Sequence, residues 1–263
     1  MSYKRRSNYY DIEYDTKSDH EFLYSLVNSD NLTILEMPSG SGRNLLLWKK
    51  TNCKVVFVDL EPEMILRLKE KIVINNLTCR FESIVGDMRF FTWKEKFDLV
   101  VIPQGGIQLL PTKTDLLISL KNIYNLLSDS GRCVIDINTY SIGPKEDLDI
   151  VPKYFNVNLN DGVKQLDFKK NQGGIVMTRY HTQYLDDNYL NVIFEYEISN
   201  NDEILDAYTL KQKHLRINFE EMVDYLNEAG FSVDKVFRNY HRDYYNHFGH
   251  RMIFILTKKT GGK

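Results

Sequence analysis

Four consecutive apolar residues, Val55-Val56-Phe57-Val58, end in Asp59, and comparable runs at 32–36, 81–85, 97–102 and 133–137 alternate with stretches of helical period. A strand that is apolar on both faces must be covered on both, so such runs belong in a parallel sheet between helical layers. The intervening helices read at 44–50, then after Pro62 with Ile65, Leu68 and Ile72 on one face and Asn75-Asn76 at its end. A longer one reads at 114–127, with Leu117, Leu120, Tyr124 and Leu127 facing inward. Ser18 or Asp19 is placed to cap an earlier helix carrying Phe22, Leu23, Leu26 and Val27. The first half is expected to be a doubly wound α/β core.

After about residue 141 the apolar period changes to two. Leu190, Val192, Phe194, Tyr196 and Ile198 share one face, opposite Asn191, Glu195 and Glu197. With turn-rich segments on either side, the runs 176–184, 190–198 and 204–215 make an antiparallel meander. A helix over Phe219–Ala229 stops at Gly230, and strands at 231–238 and 251–257 would rejoin the core sheet. The expected division is a core at 1–140, an inserted antiparallel β lid at 141–217 and a C-terminal completion of the core at 218–263.

Charge and composition exclude several classes. With 43% hydrophobic and 27% charged residues the chain is globular, and its net charge of -2 offers no field to gather phosphate backbones or anionic lipid. Neither a nucleic acid nor a membrane is therefore an expected partner. Lys4-Arg5-Arg6 precedes polar Ser7 and Asn8, so it reads as a solvated tail and not as a secretory signal. No run approaches the ~18 apolar residues of a membrane span. Cys53, Cys79 and Cys133 are odd in number and far apart, which argues against a disulfide framework or a metal-ligand pair. A reducing cytoplasm, buried thiols and no metal centre are expected, and a homodimer is allowed.

In open α/β sheets ligands bind beyond the carboxyl ends of the strands, where strand order reverses. The first strand ends in Glu36-Met37-Pro38-Ser39-Gly40-Ser41-Gly42-Arg43, an acid followed by a glycine pair that admits close backbone approach. Asp59 ends the second strand 23 positions later, where a carboxylate can bind a ribose diol. A dinucleotide would set its pyrophosphate on the helix N-terminus, yet Leu45 replaces the third glycine and Glu36 would repel the anion. S-adenosylmethionine reverses that demand, because its ammonium and sulfonium are cations. Gly86-Asp87-Met88 adds a carboxylate for an adenine amino group beside a thioether for its ring face, and Pro103-Gln104-Gly105-Gly106 reaches the same rim.

The runs YDIEYD (10–15), ILEMPSGSGRNLLL, VVFVDLEPEM, VGDMRFF, FDLVVIPQGGIQLL and LLSDSGRCVIDI resemble, in order and spacing, the class I S-adenosylmethionine-dependent methyltransferases. They are particularly similar to the branch that opens with a Tyr-Asp segment and includes small-molecule and aminosugar N-methyltransferases. The likeness covers about residues 9–139. It implies a Rossmann-like seven-stranded sheet with a reversed last strand, and a lid inserted before the last two strands. It also implies Glu36, Gly40 and Gly42 at the methionine end, Asp59 and Leu60 at the ribose, Asp87 and Met88 at the adenine, and Tyr14 closing over the sulfonium. Pro38, Arg43, Met64 and Pro103 complete the expected cofactor contacts. Pro38 departs from the family pattern, which has a glycine there.

Plainer accounts stand beside these. Asp59 would cap the helix at Pro62, Asp87 would be a turn residue, and Tyr14 and Met64 would be core. His181, His214 and His241 would be surface or satisfied core histidines, and the tyrosines of 240–245 would shield the lid. Methyl transfer is an in-line displacement, so an amine acceptor needs chiefly positioning once deprotonated, whereas a hydroxyl needs a base. Gln104, Tyr140, Tyr180 and His181 are expected to line the acceptor side with Tyr14, since they follow the fourth and fifth strands or sit on the first lid strand. The expected function is S-adenosylmethionine-dependent methylation of a small molecule, amine before hydroxyl. One alternative is a module that binds this cofactor or a nicotinamide dinucleotide without turnover, which Pro38 keeps open. Another is a nucleic-acid base methyltransferase, for which Ile102-Pro103-Gln104-Gly105 lacks the Asn-Pro-Pro-aromatic motif.

Overall fold

The computed structural model describes residues 2–139, 160–201 and 203–259. Three short helices, α1 (Ser2–Ser7), α2 (Tyr10–Glu13) and α3 (His20–Tyr24), lead into the alternating part. That part comprises β1 (Thr33–Glu36), α4 (Leu45–Trp48), β2 (Lys54–Asp59), α5 (Pro62–Ile74), β3 (Phe81–Val85), β4 (Phe97–Ile102), α6 (Lys113–Leu126) and β5 (Leu127–Asn138). A 3-10 turn, Gly106–Leu109, follows β4. Four antiparallel strands come next: β6 (Lys164–Gln172), β7 (Ile175–Leu185), β8 (Tyr189–Asn200) and β9 (Glu203–Leu215). The chain then returns through α7 (Phe219–Ala229), β10 (Phe231–Phe237) and β11 (Arg251–Lys258).

The main sheet has the order β3-β2-β1-β4-β5-β11-β10. Neighbours among β1 to β5 are parallel, while β11 is antiparallel to both β5 and β10. The fully apolar runs explain the layering. Alternate residues of one strand enter two separate cores, Val56 and Val58 beneath α6 and α7, Val55 and Phe57 beneath α3, α4 and α5. Strand order reverses between β1 and β4, which opens a crevice at their C-terminal ends.

The second sheet, β6-β7-β8-β9, buries the face carrying Met177, Val192, Phe194, Tyr196 and Leu210, with Tyr196 and Tyr208 stacked at 4.6 Å. Tyr9 and Ile12 from the N-terminal segment pack against this face. Gln108, wholly buried, ties the two sheets together. Its amide donates to the carbonyls of Asn138 (3.0 Å) and Leu215 (3.1 Å), and its Oε1 accepts from the Asn138 amide (2.8 Å).

Several expectations need correction. Arg6 is not part of a solvated tail: it is 2% exposed within α1 and ion-paired to Glu13. Asp19 precedes α3 without a side-chain cap, because its carboxylate is taken by Arg43. The inward face of α6 is Leu116, Leu120 and Ile123, with Leu117 and Tyr124 only half-buried on the same core. The second sheet has a strand, β6, whose polar sequence hid its alternation. Cys79 is exposed, whereas Cys53 and Cys133 are buried. Tyr140 and the expected lid boundary near 141 lie outside the described residues.

The C-terminal helix has a complete capping box. The Asn218 side chain accepts from the Glu221 amide at 2.8 Å, while the Glu221 carboxylate reaches back to the Asn218 amide. Asn218→Ala should therefore lower stability by about 1 kcal/mol, read as a shift of the denaturant-unfolding midpoint at unchanged slope.

Candidate active site

The crevice at the strand reversal is a cavity of about 350 Å³, within the range of small-molecule sites. Its floor comes from the strand ends: Glu36 to Gly40 after β1, Asp59 to Glu61 after β2, Gly86 to Arg89 after β3, and Pro103 to Gly106 after β4. Met64 of α5 and Tyr10 and Tyr14 of the N-terminal segment add to the wall, and Gln212 and His214 of β9 face it from the second sheet. Of the residues expected around a cofactor, Tyr14, Glu36, Pro38, Gly40, Arg43, Asp59, Leu60, Met64, Asp87, Met88 and Pro103 all line this one space. Gly42 does not. It shapes the turn instead, with φ +84.

The turn after β1 is held from beneath by Asp59. Its Oδ2 accepts from the Gly40 amide (2.7 Å) and its Oδ1 from the Glu61 amide (3.0 Å), so it braces two loops and does not cap α5, whose N-cap is Glu61. Gly40 has φ +55, and a Cβ there would press on the ring of Tyr10. Pro38 finds its place against Gly106, where any Cβ would collide with the proline ring. A substituent at position 106 is thus excluded by the ring of Pro38.

Glu36 is buried, and the Trp48 indole donates to its Oε2 at 2.6 Å. Burial pushes its carboxyl up to about 7 against the opposing pull of Trp48 and Arg43. Arg43 is fixed by bidentate pairing with Asp19 and by the Thr16 carbonyl at 3.0 Å. One wall of the cavity therefore presents an acid and a guanidinium side by side. Asp87 accepts from the Arg89 amide (2.9 Å) and pairs with its guanidinium, which also bonds Asp115; the Arg89 pairing holds the Asp87 carboxyl below its usual range.

The acceptor side differs from expectation. Gln104 lines the cavity, but its amide donates to Tyr240 Oη (2.8 Å) and its Oε1 accepts from Arg251 (3.2 Å). Arg251 and Tyr240 in turn both bond Asp136. Gln104 is thereby committed to a buried network. Tyr180 and His181 do not line this cavity: Tyr180 lies under the Lys164 ammonium, and His181 Nδ1 meets Asp167 Oδ1 at 2.6 Å. The reason is topological, because the strand bordering the cavity is β9, two strands away from β7.

Sequence reasoning missed Arg6, Tyr10, Gln212 and His214. A signal existed for the last two, since they continue the buried phase of Tyr208 and Leu210 along β9 as polar residues. Burial and the nearby Arg6 push the His214 imidazole down to about 3. It is neutral at ordinary pH.

Because the folded carboxyl of Glu36 titrates near 7 and not at its ordinary 4.5, its contribution favours the folded state below 4.5 and is lost as pH rises through 7. Across that window Glu36→Gln should gain thermal stability relative to the parent, and melting curves of both in matched buffers check it.

With this geometry in place, comparison with known proteins is informative. Residues 34–131 match the family model described as a methyltransferase domain. No curated protein sequence matches the chain. Among solved structures, an S-adenosylmethionine-dependent methyltransferase from Clostridium acetobutylicum is 17% identical with a TM-score of 0.76, each chain covered 100%. A sugar N-methyltransferase from Streptoalloteichus is 16% identical, TM-score 0.71, covering 96% of this chain and 92% of that one. An amino pentose methyltransferase from Micromonospora echinaspora, solved with S-adenosylmethionine bound, is 15% identical, TM-score 0.69, covering 96% and 95%. Residues 34–131 thus match a methyltransferase domain, within a chain that has the fold of the S-adenosylmethionine-dependent methyltransferases.

Proposed function

We propose that this methyltransferase moves the methyl group of S-adenosylmethionine onto the amine of a small molecule. The observation that carries the cofactor is the paired wall of Glu36 and Arg43. An amino-acid zwitterion offers an ammonium to the first and a carboxylate to the second, and a dinucleotide offers neither. Asp59 and Leu60 stand where a ribose would follow, and Asp87 and Met88 where an adenine would, along the same rim. The residues present fit the group.

Bound S-adenosylmethionine supplies an electrophilic methyl on a sulfonium. The chain's part is to aim a neutral lone pair at it and keep water away, a positioning effect of roughly 7 to 11 kcal/mol in favourable cases. Leu109, Leu110 and Pro111 make the acceptor side apolar, and Gln212 and His214 give it uncharged hydrogen-bonding groups. Such surroundings, with the Arg6 guanidinium at the wall, favour a free amine over its ammonium. A hydroxyl acceptor would call for a base. Among the described residues the lining carboxylates all sit at or just beyond the ends of β1, β2 or β3, and His214 is too weakly basic. The sugar and amino pentose N-methylating and methylating neighbours, together with a net charge of -2, support a small acceptor and not a nucleic acid. Among the described residues no helix is long and apolar enough to cross a membrane.

Incubation with S-adenosylmethionine and a panel of amines, amino sugars, phenols and carboxylic acids should give a mass gain of one CH2 on amines first; gain confined to oxygen acceptors would overturn the amine assignment. Asp59→Ala should weaken S-adenosylmethionine binding by about 1.5 to 3 kcal/mol, the scale of a hydrogen bond to a charged group, measured by titration calorimetry. The same titrations should show affinity falling as pH drops below about 7, since protonated Glu36 no longer attracts an ammonium.

A further inference from the structure

Beneath the second sheet runs a chain of charges of which only Arg6 reaches the cavity. Arg6 donates from Nε to Glu13 Oε2 (2.8 Å) and from Nη2 to both Glu13 Oε1 (2.7 Å) and Tyr14 Oη (3.0 Å). Glu13 Oε1 also accepts from Arg179 Nη1 of β7 (2.6 Å) and the Tyr196 hydroxyl of β8 (2.8 Å). Arg179 continues to Asp167 Oδ2 at 2.7 Å. Arg6, Glu13, Arg179 and Tyr196 are all buried, yet neither Arg179 nor Tyr196 lines the cavity. Although burial alone favours the neutral acid, Arg6 and Arg179 hold Glu13 down at about 2, so the network stays ionised at any working pH.

The shape of the guanidinium gives this arrangement its consequence. A planar fork whose one edge is spent on a carboxylate has its remaining N–H directions fixed. The place of Tyr14 Oη, and with it the orientation of a ring centred 4.7 Å from that of Tyr10 and inclined 31° to it, follows from where Glu13 sits. Glu13 sits where two strands of the second sheet put it. We infer that Arg6 is the positioning residue for Tyr14, and that β7 and β8 set the orientation of Tyr14 over the cavity through Glu13 and Arg6. This rests on the proposed binding of S-adenosylmethionine in this cavity, with Tyr14, which lines it, closing over the sulfonium as the family resemblance implies.

A correctly tilted phenol attracts a sulfonium but has little to offer the uncharged thioether of S-adenosylhomocysteine. The preference for the methylated over the demethylated nucleoside therefore reports the tilt of Tyr14, independent of any acceptor, and a general loosening of the fold would weaken both ligands alike. Titration calorimetry with both nucleosides on the full chain tests the inference. Arg6→Lys keeps the charge but loses the fork, and should reduce that preference about tenfold, the scale of a desolvated cation over an aromatic ring. Tyr14→Phe should do the same, and the double variant should be no worse than either alone. Tyr196→Phe is nearly isosteric and leaves every charge in place, so it serves even if Arg6→Lys does not fold; it should shift the preference in the same direction, with no effect once Tyr14 is Phe. Multiplying effects of Arg6→Lys and Tyr14→Phe, or an unchanged preference in Tyr196→Phe, would overturn the positioning role alone. Failure of the parent protein to bind either nucleoside would overturn the cofactor reading and this inference with it.

Discussion

A parallel sheet clad by helices on both faces leaves a ligand only the rim, and in this chain everything of chemical interest depends on how that rim is held open. The Asp59 carboxylate carries much of the task. By accepting backbone amides from the turns after β1 and β2 it fixes two loops at once, and the glycine at position 40 lets Tyr10 close directly onto the turn. The contact between Pro38 and Gly106 sets the spacing on the other flank. Without these braces Glu36 and Arg43 would stand at the same positions in sequence but not as one wall.

Opposite charges are handled differently at the two ends of the cavity. Toward β1 the acid is buried with an indole donor and a nearby guanidinium, an arrangement that leaves it close to titration and receptive to an incoming cation. Toward the second sheet the ionic groups are already paired with one another, so they give direction and rigidity in place of net attraction. Binding and orientation are thus assigned to separate sets of charges.

Much of this was readable in the residues, for definite reasons. The five parallel strands declared themselves through apolar runs alternating with helical stretches, the count of seven came from the family resemblance, and the acids at positions 36, 59 and 87 showed through their place at or just past the ends of those runs. Gly230 marked the end of α7 because a left-handed stop is set by the residue itself. What stayed hidden depends on distant partners. Arg6 looked like a solvated charge since nothing nearby in sequence reveals that Glu13 is itself locked by Arg179, 166 positions away. His181 looked like an acceptor contact because the order of strands fixes which of them borders the cavity, and periodicity is silent on order. The polar strand β6 escaped for a related reason, as most of its side chains face water.

Gln212 and His214 reach the cavity only through the two-residue period of β9, in which Lys211 and Lys213 take the opposite face. A one-residue slip of that strand would exchange the sets and turn Tyr208 and Leu210 out of the buried face as well. The register that packs the second sheet is therefore the same one that keeps two lysines off the cavity wall.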